Sequence, residues 1–350
     1  MNSPGASCPL PDFAAGETIQ LSHGSGGRDT QRLLEQLIRP AFDNACLEAQ
    51  QDAAVLTHQG LSLAFTTDSF VVNPLFFPGG DIGKLSVFGT VNDLAMSAAR
   101  PLAISCSLII EEGLALNVLQ RIVESMASTA AACGVNIVTG DTKVVERGKG
   151  DGLFINTSGI GSIVPGVSSQ PANITESSVI LINGDVGRHG MAILAQREGL
   201  QFSDTIESDC QDLSGLVGAL LEAGIHVQCM RDLTRGGLAT NLYELCSAAG
   251  VSMHIDEKTI PLDERVQGAC EILGIDPIYV ACEGRMIIVL PATEQLRALE
   301  IMAAHPACTA PACIGRVEAA EPLPQLILQS CIGTQRLLEP LIGESLPRIC

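Results

Sequence analysis

Four acids stand beside small or turn-forming neighbours, in Asp52-Ala53-Ala54, Thr67-Asp68, Asn92-Asp93 and Gly140-Asp141-Thr142. Asp68 and Asp141 each close an apolar, strand-like run, where a carboxylate points into a cleft. Magnesium takes a few carboxylates together with phosphate oxygens and water, so acids from several elements meeting at one edge would hold a nucleotide's metal. Each acid alone reads equally well as a helix or turn cap. The second chemical candidate is the last residue of the sequence, Cys350 in Pro347-Arg348-Ile349-Cys350. Ten extended residues reach roughly 35 Å, so a thiol placed there can swing into a pocket on its own chain or on a partner. It is not a prenylation site of the CaaX type, which needs its cysteine four residues from the end.

Glycine-rich segments could cradle phosphates with successive backbone amides or serve as plain turns: Gly24, Gly26 and Gly27 near the start, residues 184–190, and Gly236-Gly237. The familiar nucleotide loops are absent. Gly83-Lys84 has Pro78 where a GxxxxGK[ST] motif needs its first glycine and Leu85 where it needs Ser or Thr, and Gly24 and Gly26 run into Asp29 rather than completing GxGxxG. A P-loop ATPase and a Rossmann dehydrogenase both lose support. His23, inside the first glycine loop, is either a phosphate contact or an exposed loop histidine.

The elements that must position these groups follow from pattern. A helical run covers residues 29–37. Leu61, Leu63 and Phe65 alternate into Asp68, residues 103–110 form a nearly continuous apolar strand, and Asn136-Ile137-Val138 leads to Asp141. Leu85, Phe88, Val91, Ala95 and Ala98 recur at helical spacing, so residues 81–99 read as an amphipathic helix carrying Asn92-Asp93, and a second helix spans 116–133. Residues 165–175, rich in Pro, Ser and Asn, read as a linker. Beyond it come a strand at 179–182, helices near 191–198, 213–223 and 238–249, and strands near 285–290 and 314–317. Strands and helices mix in both halves without a regular βαβ count. The expected fold is therefore α/β in the sense of α+β layers rather than a doubly wound sheet. Expected boundaries are a flexible segment 1–46 with glycine loop and helix, an N-terminal domain 47–166, a C-terminal domain 167–342 and a mobile tail 343–350.

Composition sets the class. A chain of 350 residues favours two cores, and with 46% hydrophobic residues, no Trp and two Tyr those cores rest on Ala, Val, Ile and Leu. The formal charge of −19 argues against nucleic acid or an anionic membrane surface as partner, since both require clustered Lys and Arg. An anionic ligand must be handled locally, by backbone amides or a metal ion. The longest uncharged run, residues 152–175, is too rich in Gly, Ser, Pro and Asn for a membrane span, and residues 1–16 lack the basic and apolar regions of a secretory signal. Thirteen cysteines with no CxxC pair fit a reducing cytoplasm, most of them as small buried hydrophobes.

Several stretches together resemble the HypE family of hydrogenase maturation proteins: residues 21–27 (LSHGSGG), 66–80 (TTDSFVVNPLFFPGG), 89–95 (GTVNDLA), 140–159 (GDTKVVERGKGDGLFINTSG), 231–240 and the terminal PRIC. The resemblance spans nearly the whole chain. It implies the two-domain fold of aminoimidazole ribonucleotide synthetase-like ATP-binding proteins, a homodimer paired through the N-terminal domain, and a C-terminal domain closing the nucleotide cleft. It further implies ATP-dependent dehydration of a carbamoyl group on Cys350 to a thiocyanate. The carbamoyltransferase HypF would load the group, and a HypC–HypD complex holding iron would receive the cyanide.

The same resemblance puts Asp52, Asp68, Asp93 and Asp141, with Asn92 and the glycine loop, at Mg2+ and ATP. It puts Lys143 and Glu283 at the dehydration step, Glu283 as general base and Lys143 on the carbamoyl oxygen. Leu233, Cys282 and Arg188 depart from the family's usual residues at their positions. A selenophosphate synthetase would need a reactive Cys or selenocysteine followed by Lys in the first glycine loop, and residues 22–28 have neither. A kinase acting on a diffusible small substrate would leave Cys350 without a purpose. The remaining alternative is a carbamoyl carrier or docking protein without catalysis.

Overall fold

The structure, a computed structural model, describes residues 18–42, 44–200, 202, 204–341 and 349–350. The leader read before residue 17 lies outside the described residues, as does most of the tail read from Gly343, including Pro347 and Arg348. The chain enters through three short helical pieces, α1 (Arg28–Leu33), α2 (Arg39–Ala41) and α3 (Ala45–Glu48). A five-stranded sheet follows, built from β1 (Ala54–His58), β2 (Leu61–Phe70), β5 (Ala99–Glu111), β6 (Asn136–Val145) and β7 (Leu153–Ile163) in the order β1-β2-β7-β5-β6. A small ribbon of β3 (Phe76–Phe77) and β4 (Gly80–Asp81) precedes the helix α4 (Ile82–Met96). Every pairing in the five-stranded sheet is antiparallel except β5 with β6. A parallel pair cannot be closed by a hairpin, and here the helix α5 (Leu116–Ala132) makes the crossover.

Helix α4 starts because Asp81 caps it, its Oδ1 accepting from the amides of Gly83 at 2.8 Å and Lys84 at 3.0 Å. Ser125 on α5 donates to Asp81 Oδ2 at 2.7 Å, so one carboxylate also ties the two helices together. They cross closely at Gly83, where a Cβ would lie 2.6 Å from the Ile122 carbonyl oxygen. The sequence pattern suggests an amphipathic α4. In the fold it is buried nearly all round, because the sheet covers one side and α5 and the second half of the chain cover the others.

The second half forms a seven-stranded sheet from β8 (Ser178–Ile182), β9 (Cys229–Asp232), β10 (Val251–Asp256), β11 (Met286–Pro291), β12 (Ala312–Ala319), β13 (Leu326–Gln329) and β14 (Gln335–Leu338). Its order is β14-β13-β10-β12-β8-β11-β9. Only β10 and β13 run parallel. The helices are α6 (Arg188–Arg197), α7 (Ser214–Glu222), α8 (Gly237–Ala249), α9 (Glu264–Leu273) and α10 (Gln295–Ala304). Strand β8 is buried at every position because both its faces are covered, by a cluster with Leu238 and Leu242 of α8 on one side and one with Leu216, Leu220 and Ala298 of α7 and α10 on the other. These are the α+β layers expected from the pattern. Phe70, Leu85 and Ile155 of the first sheet's core share one apolar cluster with Met191, Val266 and Ile349, so the two halves and the end of the described chain meet in one place.

Replacing Asp81 by Ala removes the α4 cap and its link to α5. The expected cost is about 1–2 kcal/mol of stability, read as a lower urea midpoint with an unchanged slope.

Candidate active site

Strand alternation turns Ala64, Thr66 and Asp68 of β2 inward towards α4, and Asp93 on α4 faces them. Thr66 Oγ1 donates to Asp93 Oδ2 at 2.7 Å and to the Asp52 main-chain oxygen at 3.1 Å, joining the loop before β1 to β2 and α4. Asp232, at the end of β9, comes from the other half of the chain. Burial, followed by repulsion from Asp232, Asp52 and Asp68, holds the Asp93 carboxyl well above the usual carboxylate range. Burial likewise pushes Asp52 up to about 6 against the pull of Arg231, whose Nε lies 3.1 Å from Asp52 Oδ1, and raises Asp68 and Asp232.

Among the described residues no three His, Cys, Asp or Glu side chains converge tightly enough to hold a metal ion by themselves. The donor set fits a magnesium ion that brings phosphate oxygens and water with it, because that ion needs only one or two carboxylates from the protein. A cleft of about 610 Å³ opens beyond Arg231, lined by Arg28, Arg39, Gln50 and Glu244 among others, and is the size of a small-molecule site.

Cys350 lies inward, half-buried against the shared apolar cluster. Its main-chain oxygen accepts from Val71 N–H at 2.9 Å. Burial pushes its thiol up to about 12, with Arg235 lowering it and Glu283 and Asp68 raising it, so the thiol is neutral and these three ionisable groups are its neighbours. Glu283 is 4% exposed and its Oε1 has no hydrogen-bond partner. Burial first, then repulsion from Asp232, Asp68 and Asp209, keeps its carboxyl protonated well above the usual range. The backbone around it is rigidly held. Glu283 N–H donates to Asp209 Oδ1 at 3.1 Å, Arg285 pairs with Asp185 at 2.7 Å and lies 3.6 Å from Asp209, and a Cβ on Gly284 would fall 2.0 Å from the Asp209 carbonyl oxygen.

Three residues singled out in the sequence stand elsewhere. Asp68 aligns across the sheet with Thr157, Cys106 and Gly140, whereas Asp141 aligns with Ser107, Asn156 and Ser69. Asp141 is therefore one residue out of phase, on the opposite face, and three strands away, roughly 14 Å at ordinary strand spacing. It and Lys143 are 57% and 68% exposed and pair with each other at 2.7 Å. Within this chain neither joins the acids, and the cation beside Cys350 is Arg235 in place of Lys143. Asn92 is also committed elsewhere. Its Nδ2 donates to Gln211 O at 3.1 Å and its Oδ1 accepts from Leu213 N–H at 2.9 Å, so it fastens α4 to the second half.

The glycine loop lies over this region. Gly26, at φ +83°, is against Arg235, Gly27 is against Leu341, and the Gly26 amide donates to Thr30 Oγ1 at 3.0 Å. The family departures are absorbed structurally. Arg188 pairs with Asp185 and Asp263, and Cys282 Sγ accepts from the Gly187 amide at 3.1 Å. Sequence reasoning missed Asp232 and Arg235 as site residues, although both lie in the segment 231–240 that carries part of the resemblance. It also passed over His189, beside Arg188.

The profile of the AIR synthase related protein N-terminal domain matches residues 50–163, and that of the corresponding C-terminal domain matches 175–323. The carbamoyl dehydratase HypE of Azotobacter vinelandii is 47% identical over 333 residues, 95% of this chain and 97% of that protein. Among solved structures, a HypE–HypF complex superposes with a TM-score of 0.84 at 44% identity, covering 88% of this chain and 99% of that one. HypE in complex with ATP gives 0.80 at 43% identity, covering 95% of this chain and 100% of that one.

The raised carboxyl of Glu283 has a consequence for stability. Above the ordinary glutamate value of 4.5 the unfolded chain releases a proton that the folded chain still holds, so stability falls as pH rises through that window. Glu283→Gln removes the penalty. Metal-free variant and wild type should melt together near about pH 4 and the variant should melt higher near about pH 8; a constant offset at both would contradict the assigned burial.

Proposed function

The chain belongs to the HypE carbamoyl dehydratases among the AIR synthase related proteins, and from that premise we propose that Cys350 carries the carbamoyl group in a pocket completed by Glu283, Arg235 and the buried aspartates. The observation that supports this most is the inward placement of the Cys350 thiol among Glu283, Asp68 and Arg235. The reaction is ATP-dependent. The carbamoyl oxygen attacks the terminal phosphorus of ATP and ADP departs. The nitrogen then loses both protons as the C–O bond breaks, the oxygen leaves within phosphate, and the sulfur keeps a nitrile. Without phosphorylation that oxygen would have to leave as hydroxide, which a carbamoyl group does not readily expel.

Each role follows from the geometry of the chain. Asp52, Asp68, Asp93 and Asp232 would hold Mg2+ with the phosphates, where the ion supplies positive charge to the transferring phosphoryl group. The glycine loop at Gly24, Gly26 and Gly27 and the cleft beyond Arg231 are the candidate nucleotide surfaces. Arg235, beside Cys350, balances charge developing on the carbamoyl oxygen, the role the resemblance gave to Lys143. Glu283 starts as a neutral acid suited to hydrogen-bonding the carbamoyl group. Positive charge held among Asp68 and Asp232 would offset the repulsion that holds its proton, so that Glu283 would release that proton to solvent and could then take one from nitrogen.

HypF is the donor partner expected from the family, and a HypC–HypD iron complex is proposed as the acceptor. A homodimer is supported by the apolar side chains that the first sheet leaves exposed: Val55, Leu56, Phe65, Ile109, Val138 and Val144. Asp141 and Lys143 lie on the same exposed strand β6. Cytoplasmic placement is proposed from the free cysteines of the described residues, among which no helix is long and apolar enough to cross a membrane. Domain limits of 47–166 and 167–342, with 343–350 as a tail, remain the proposed division.

Mass spectrometry of the peptide ending at Cys350, after incubation with ATP, Mg2+ and a carbamoyl-loading system, should show the adduct losing one water. Cys350→Ala should bind ATP and yield no adduct, and an adduct that never loses water would make the protein a carrier. Arg235→Ala should let the carbamoyl form accumulate while slowing its dehydration about 10²–10³-fold, the usual loss for one donor to a developing oxyanion.

A further inference from the structure

His189 takes no part in the chemistry above, yet both nitrogens of its ring are committed. It sits in the first turn of α6, fully buried, with its ring edge-on to Phe77 at 5.4 Å between centroids and 87° between planes. Nε2 lies 2.5 Å from the main-chain oxygen of Ile349 and Nδ1 lies 2.8 Å from Ser208 Oγ. A carbonyl oxygen only accepts, so Nε2 carries the proton and donates it to Ile349. Burial lowers the proton affinity of this imidazole, so Nδ1 is bare and accepts from the Ser208 hydroxyl. Ser208 Oγ in turn accepts from the Cys210 amide at 3.1 Å, and Ser208 N–H donates to Pro78 O at 2.8 Å, which fixes the hydroxyl that sets the tautomer.

The acceptor of this chain of bonds is the residue next to the reactive thiol. Ile349 and Cys350 are held by two main-chain hydrogen bonds, His189 to Ile349 O and Val71 N–H to Cys350 O, and by the 6% exposed side chain of Ile349 in the shared apolar cluster. We propose that His189, oriented by Ser208, is a positioning residue that latches residues 349–350 in the inward state and so sets how often Cys350 leaves the pocket. This rests on the reading of Cys350 as a carrier that must be loaded, dehydrated and then presented to a partner. Departure of the tail strands the Nε2 donor in an apolar pocket, and that cost biases the tail inward. The latch acts on main chain, so it holds the tail whether the sulfur is free or loaded.

The test is the rate at which N-ethylmaleimide labels Cys350 in the full-length protein without ATP, resolved by peptide mass spectrometry. Buried Cys270 and Cys282 serve as references for folding and exposed Cys331 as a reactive control. His189→Leu should label Cys350 roughly 2- to 12-fold faster, the factor one hydrogen bond of about 0.5–1.5 kcal/mol supplies, with Cys270 and Cys282 still protected. His189→Gln, which keeps a donor near Nε2, should return the rate close to wild type. Ser208→Ala should raise it in a protein whose ring stays in place, and it carries the test if the leucine variant fails to fold. An unchanged Cys350 rate with Cys270 and Cys282 protected overturns the proposal, and so does a rise shared equally by all three. No turnover enters this measurement, so it separates the latch from the dehydratase reading, whose own failure would be turnover surviving in Cys350→Ala.

Discussion

Five carboxyl groups are brought together with too little positive charge to neutralise them. Asp52, Asp68, Asp93, Asp232 and Glu283 repel one another across the meeting of the two halves, and the cations that act on them are Arg231 and Arg235. Removing ionised carboxylates from water is costly, and mutual repulsion adds to that cost, so the resting site keeps protons on groups that would ordinarily have lost them. An arrangement of this kind lowers stability for the sake of binding. Carboxyls held in this state change their protonation when charge is brought beside them.

The surrounding framework explains how such a site persists. Asp209 and Asp185, also acidic, are compensated by the 3% exposed Arg285, and that pairing anchors the backbone that presents Glu283. Asn92 joins α4 to the 211–213 segment through both ends of its amide. The polar groups that look available for ligands are thus divided. One set is paired internally and holds the walls, with Asp209 Oδ2 left to the charge of Arg285 at 3.6 Å; the other keeps raised carboxyls and the unpartnered Glu283 Oε1.

This division decides what was legible in the sequence. Strands β2 and β5 and helices α4 and α5 follow from period and apolar run, and β6 follows from the apolar Ile137-Val138 pair although the strand itself lies exposed. Short β13 and β14 pass unnoticed, since four residues of mixed burial carry little pattern. In the acidic cluster, Asp52, Asp68 and Asp93 are marked in the sequence by small neighbours and strand ends. Asp141 carries the same local marks and differs only by register: a one-residue phase shift sends it and Lys143 to the other face, and register across four strands is a tertiary fact. Asp232, Arg235 and His189 come from the other half of the chain, where nothing local announces that β9 will pack on α4 and the start of α6 on β3.

The thiol shows why the two halves must meet. A carbamoyl group on sulfur is lost to water unless it is sheltered, and its phosphorylated form is more fragile still, so the group must react where solvent is excluded. Yet a thiocyanate made in a sealed pocket serves no acceptor. A thiol carrier resolves this only if its inward state is held by contacts that do not involve the reacting atoms, since contacts to those atoms change as the chemistry proceeds. Bonds to the main-chain oxygens of Ile349 and Cys350 satisfy that requirement, because they are the same before loading, after loading and after dehydration. What can then release the tail is a change in the pocket rather than in the cargo. Glu283 and Asp68 are part of that pocket, and the charge they carry depends on what is bound beside them, so a change of occupant alters the surroundings of Cys350 while its cargo stays the same.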